Sequence, residues 1–158
     1  MSEELDYLEI DIKEHKMLLS KSSLDYFNKY KWRYGGRGYI VRSIGSKSKT
    51  IFLHRELMKA NNKTLVDHIN GNRLDNRIEN LRFANRSQNS MNRGKHKKFT
   101  SKFKGVSIAK REKKWRAGIM LNGEQIHLGF FLKEEDAAAA YNEASIKYHG
   151  EYGRLNEL

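Results

Sequence analysis

The sequence predicts an α+β protein built from two small units. Three observations support this. Short runs of strand period lie between Gly- and Asn-rich breaks, and no segment has a long apolar helix. Asn122-Gly123 separates two such runs, and an alanine-rich helical segment follows them. Between the halves, Arg93–Ser101 is basic and lacks apolar periodicity, so it reads as a linker. The expected units are 1–92 and 102–158, joined by 93–101.

Each element has a local reason. Tyr7–Ile12 alternates with period two, and Lys16–Leu19 is a short apolar run; both read as strands. Ser23 is placed to cap a helical turn or two through Tyr30. Tyr39–Arg42 and Thr50–His54 read as a hairpin across Gly45–Lys49. With no proline in the chain, its turns rest on Gly and Asn, which tolerate left-handed backbone. Downstream, Phe103–Lys110, Trp115–Leu121 and Gln125–Leu132 read as the three strands of an antiparallel sheet. One helix, Glu134–Tyr148, follows, with Ala137, Tyr141, Ala144 and Tyr148 on a single face.

Composition narrows the function. The 158 residues carry a formal charge of +12, which makes a polyanion the default partner. The charge is uneven: residues 1–30 hold seven acids against four lysines, whereas 93–116 hold eleven Lys/Arg and one Glu. With no cysteine, disulfides and Cys-based zinc sites are excluded. No apolar run approaches the ~18 residues that span a bilayer, and Met1–Leu5 is acidic, unlike a signal peptide. A cytoplasmic protein without membrane association is expected. In the linker, Arg93, Lys97 and Lys98 are expected to contact phosphates.

The chemistry concentrates in Leu65–Asn92. Leu65–Ile69 reads as a strand ending in a carboxylate and an imidazole, Asn70–Glu79 as a polar loop, and Asn80–Ala84 as the returning strand. Asn85 then starts a helix that carries Asn89 and Asn92 on one side. Adjacent strand residues face opposite ways, so Asp67 and His68 converge only where the strand bends or ends. The group suits phosphodiester hydrolysis, which needs a cation against the developing charge and a base for the attacking water. Carboxylate and carboxamide oxygens suit Mg2+ or Mn2+, one per site. A neutral imidazole, with a pKa of about 6.5, is an apt base at physiological pH. Asn80, at the neck of the loop, is placed to tie the strands together and orient His68. Arg55 and Arg82, with Arg73 and Arg77 nearby, are candidates for clamping the scissile strand.

Asp67-His68-Ile-Asn-Gly-Asn, Asp75-Asn-Arg-Ile-Glu-Asn-Leu-Arg82 and Asn89 to Asn92 resemble the phage-type HNH homing endonucleases with a ββα-metal active site. Tyr30-Lys-Trp32 and Leu53-His-Arg55 also look like that family. The resemblance covers residues ~22–93. It implies that His68 is the general base, Asp67 and Asn89 bind the metal, and Asn80 is a structural member of the catalytic group. Asn92 is left as the alternative to Asn89 in the metal shell. The implied reaction cuts or nicks double-stranded DNA, leaving 5′-phosphate and 3′-hydroxyl ends. If the gene is phage-borne, the protein acts in the bacterial host's cytoplasm.

Phe103-Lys-Gly-Val106, Trp115-Arg-Ala-Gly-Ile119, Leu128-Gly-Phe-Phe131 and Glu134–Tyr141, ending in Tyr152–Asn156, resemble the Apetala/ethylene-response-factor DNA-binding domain. That resemblance implies a sheet in the major groove, with Lys104, Arg111, Lys114, Trp115, Arg116 and His127 facing DNA. No strong dimerisation stripe is visible, so a monomer is expected, with a dimer as the alternative. Two rivals are a non-catalytic DNA-binding regulator with a vestigial HNH fold and a binder of structured RNA.

Overall fold

The computed structural model describes residues 5–45, 49–95 and 100–158. The expected Gly45–Lys49 turn falls partly outside the described residues, as does the acidic Met1–Leu5. Lys97 and Lys98 fall wholly outside them. The chain divides into two compact units, 1–85 and 86–158, so the boundary lies upstream of the expected one at 92/93. Residues 86–92 go with the second unit because the Met91 carbonyl accepts hydrogen bonds from the Lys104 ammonium and from the Arg154 amide.

In the first unit, β1 (Tyr7–Ile12) and β2 (His15–Ser20) form an antiparallel hairpin. Met17 and Leu19 of β2 are fully buried, and with Ile40 and Leu53 they make the core. Trp32 packs against this cluster and donates its indole N–H to the Phe27 carbonyl. A 3-10 turn, Lys21–Ser23, leads into α1 (Leu24–Asn28). Ser23 makes no capping hydrogen bond: its backbone is already helical, where a capping residue is normally extended.

The strands β3 (Arg33–Tyr34), β4 (Ile40–Ile44) and β5 (Lys49–Phe52) form a small antiparallel sheet. Its last expected residues, Leu53 and His54, instead open α2 (Leu53–Leu57). Leu53 is fully buried in the core, and the helical turn carries His54 to a buried position of its own.

The next elements are β6 (Leu65–His68), β7 (Asp75–Asn76) and β8 (Leu81–Ala84). Strands β6 and β8 pair antiparallel, with Asp67 opposite Arg82 and His68 opposite Leu81. The intervening stretch, expected to be loop throughout, contains β7, which pairs parallel with β2 (Leu18 opposite Asp75). The Ser20 hydroxyl seals this junction, accepting from the Ile78 amide at 2.8 Å and donating to Glu79 at 3.2 Å. The N-terminal hairpin thus anchors the polar loop.

In the second unit, α3 (Arg86–Met91) precedes a sheet of order β11-β10-β9: β9 (Val106–Ala109), β10 (Lys114–Leu121) and β11 (Glu124–Phe131). Asn122 and Gly123 both take positive φ, 52° and 89°, in the two-residue turn between β10 and β11. Helix α4 (Glu134–His149) covers one sheet face, burying Ala137, Ala138, Tyr141 and Ala144. Gly105 is where that packing is tightest. Its φ is +75°, and a Cβ there would stand 2.0 Å from Tyr141 Cδ2 and 2.8 Å from the Gly118 carbonyl oxygen. Gly105→Ala is expected to destabilise this unit by about 2–4 kcal/mol, from overpacking plus left-handed strain. The Trp115 fluorescence transition in urea, in a Trp32→Phe background, measures it.

Candidate active site

The site grows from the end of β6. Strand pairing sets Asp67 directly across from Arg82, and the guanidinium donates to its Oδ2 from Nε at 3.2 Å and from a terminal nitrogen at 3.1 Å. Both side chains are largely withdrawn from water. Removing one partner of such a pair leaves the other charge stranded, at a cost of about 3–5 kcal/mol. Arg82, expected to clamp DNA, is therefore committed to Asp67.

His68, the last residue of β6, is 4% exposed. Burial lowers its pKa from the ordinary 6.5, against the opposing pull of an Asn76 hydrogen bond and the Asp67 and Asp75 carboxylates. Its ring lies 4.9 Å from that of His54 and 6.0 Å from that of Tyr39. His54 is buried too, and desolvation with the adjoining His68, Arg55 and Arg73 pushes its pKa down to about 3. A pair of neutral imidazoles thus sits under a Tyr39 ring stacked 5.1 Å from His54. His54 was expected in a strand; only the helical turn at Leu53 brings it beneath His68.

Asn80 braces the loop at both ends. Its side-chain oxygen accepts from the Asn70 amide at 3.0 Å, and its side-chain nitrogen donates to the Asp75 carbonyl at 2.8 Å. Its own carbonyl accepts from the Ile69 amide at 2.8 Å, next to His68. Inside the loop, Arg77 grips buried Asp75 with two hydrogen bonds of 2.7–2.8 Å. That grip and the Asn70 side chain hold the Asp75 pKa below its usual value, against desolvation as the largest single influence. Arg77 is therefore a loop staple and not a free cation.

The remaining expected residues divide. Arg55 donates to the Thr64 and Asn61 carbonyls, at 2.7 and 2.6 Å, and closes the turn before β6. Asn89 lies on α3 in the second unit and is part-buried, while Asn92 just beyond is 6% exposed. Arg93, Arg111, Lys114, Arg116 and His127 are exposed. Lys104 turns inward, toward the Met91 carbonyl and the Tyr141 ring, and burial lowers its pKa to about 8.

Trp115 takes the sheet-packing alternative to DNA contact and is partly buried. It packs on the core of Phe103, Val106, Ala117, Ala137 and Ala138. It alternates in phase with Ala117 and Ile119, the apolar side of β10, and that phase is visible in the sequence itself. The open face instead carries Phe130, 45% exposed, opposite Arg116 and 4.7 Å from the His127 ring. Phe130 is a surface residue that sequence reasoning missed; its exposure depends on strand register.

The donor chemistry around Asp67 fits a hard divalent cation. Such ions take one or two carboxylate oxygens and fill the shell with water and phosphate oxygens. No group of three or more His, Cys, Asp or Glu is placed to hold an ion among the described residues, so an all-protein cage is not found there.

A buried carboxylate and a buried imidazole thus stand at one strand end, beside a loop that Asn80 braces. The HNH endonuclease family pattern matches residues 61–91, from just before β6 through α3. An uncharacterised HNH endonuclease of Acanthamoeba polyphaga mimivirus is 33% identical over 134 residues, spanning 83% of this chain and 69% of that protein. Protein 3.8 of Escherichia phage T7 is 40% identical over 90 residues, spanning 57% of this chain and 74% of that protein. The chain belongs to the HNH endonuclease family. No solved structure matches it. Among the described residues, no helix is long and apolar enough to cross a membrane.

Proposed function

We propose that the chain is a divalent-metal-dependent DNA endonuclease of the homing type. It hydrolyses a phosphodiester bond in double-stranded DNA, leaving 5′-phosphate and 3′-hydroxyl ends. The observation that carries this is the buried Asp67–His68 pair at the end of β6, held by the Asn80 brace within a family of nucleases. His68 acts as general base and takes a proton from the attacking water; the lowered pKa that burial imposes keeps the ring neutral for that task. Asn80 fixes the loop that carries the strand end, so the imidazole meets the water in one orientation.

Bound Mg2+ or Mn2+ supplies neutralisation of charge on the phosphate and leaving oxygen. Asp67 would hold it, with the Asn89 carboxamide as the second donor the sequence resemblance implies. The second unit grips duplex DNA as a monomer through its open sheet face. Arg116, Lys114 and His127 contact the backbone and base edges there, and Phe130 makes an apolar contact.

Supercoiled plasmid incubated with Mg2+ is expected to become nicked, and with EDTA to stay supercoiled. Cleavage that persists in EDTA overturns the metal-dependent reading. Tight duplex binding without cleavage at any Mg2+ or Mn2+ concentration overturns the enzyme.

A further inference from the structure

The arginines of the first unit fall into two groups. Arg42, Arg77 and Arg82 are ion-paired with Glu56, Asp75 and Asp67, and Arg55 is spent on two backbone carbonyls. Arg33, Arg37 and Arg73 have no carboxylate partner among the described residues, and all three are exposed. They converge. Arg33 and Arg37 line a cleft of about 240 Å³ whose floor includes Gly35, Tyr39 and Phe52. Arg73 lies over the Tyr39 ring at 4.6 Å and donates to the Arg37 carbonyl at 2.6 Å. The same Tyr39 and Phe52 rings meet the imidazole pair from the other side, Tyr39 at 6.0 Å from His68 and Phe52 at 5.7 Å from His54.

We infer that Arg33, Arg37 and Arg73 form a backbone clamp for one DNA strand, seating its phosphates in this cleft so that the strand runs past His68. Guanidiniums without a carboxylate partner that are grouped on one surface repel one another, a polyanion relieves that repulsion, and their fork geometry suits phosphate oxygens. The glycine floor adds to this. A Cβ at Gly35 would sit 3.0 Å from a Val41 methyl and 3.2 Å from the Tyr39 carbonyl, so the backbone there runs without side-chain bulk. Tyr39, held between Arg73 and His54, links the cleft to the imidazole pair. The clamp rests on the nuclease reading for its purpose, while its charge arrangement stands without it.

The test uses the full chain carrying His68→Ala, in EDTA, so that binding is read without cleavage. Affinity for duplex DNA is measured across a salt series with and without Arg33→Ala/Arg37→Ala. Each lost phosphate contact removes about 0.9 from the log–log salt slope, so the double variant is expected to be shallower by about 1.8. A charge-matched control, Lys29→Ala/Lys31→Ala, removes two exposed cations of the same unit that do not line the cleft and is expected to leave the slope nearly unchanged. Both arginines are exposed, and a thermal melt checks that the variant folds; Arg33→Lys/Arg37→Lys should restore the slope. An unchanged slope, a control that falls as far, or a loss seen on duplex RNA and not on DNA overturns the clamp. A shallower slope in a protein that never nicks plasmid would uphold the clamp and remove the cutting role. Nicking with an unchanged slope would do the reverse.

Discussion

His68→Ala is expected to lower plasmid nicking by about 10²- to 10⁴-fold, the usual contribution of a positioned general base. Duplex affinity in EDTA should be unaltered. The substitution removes the imidazole that β6 carries and leaves His54, the Asp67–Arg82 pair and the Asn80 brace in place. Because the ring is buried, truncation also leaves a cavity, so His68→Gln, nearer in volume, serves as the second variant. Both should cut at the lowered rate, and His68→Gln should melt closer to the parent than His68→Ala. Only neutral His68 accepts a proton, and burial holds its titration below the ordinary 6.5. In the parent the rate should therefore hold to a lower pH than an exposed histidine would allow, and then fall. Nicking by either variant at near-parent rates would remove His68 from the reaction.

Stability of the first unit is expected to decline as pH falls below about 6.5, well before its carboxylates titrate. His54 is 5% exposed with its pKa driven down to about 3, so it stays neutral in the fold while the unfolded chain protonates near 6.5. Between those values the unfolded state binds the extra proton. Unfolding free energy therefore drops by up to about 1.4 kcal/mol per pH unit on the acid side. His68, lowered in the same direction, adds to the slope. The Asp75–Arg77 staple behaves differently: its stabilisation is complete above the ordinary carboxylate value of 3.8 and is lost only below it. Urea titrations in steps from pH 7.5 to about 4.5 thus isolate the histidine window. His54→Gln, with no titratable ring, should flatten the dependence by close to one proton; the parent's slope retained in that variant would show that His54 is not the cause.

Much of this molecule is legible in one dimension. Period-two alternation marks Tyr7–Ile12, and Asn122-Gly123 marks the turn that joins β10 to β11. The Ala137–Tyr141–Ala144 stripe marks the buried face of α4. The Asp67-His68 pair with Asn80 twelve residues on marks the candidate site. These signals are local: each depends on side chains within a few residues or on one fixed spacing.

What lay beyond local pattern was decided by pairing between distant segments. Two residues, Asp75 and Asn76, have no periodicity to announce a strand, and they become one only because β2 offers a parallel edge. The register of β6 against β8 makes Arg82 the ion-pair partner of Asp67. Leu53 turns helical because the core needs its side chain, and that turn sets His54 against His68. The sequence by itself determined which residue types are available for phosphodiester chemistry and where many of the strands and the long helix lie. Only the tertiary structure decided which charges are neutralised and which stay free, because an ion pair is a property of two positions in space and composition carries no distances.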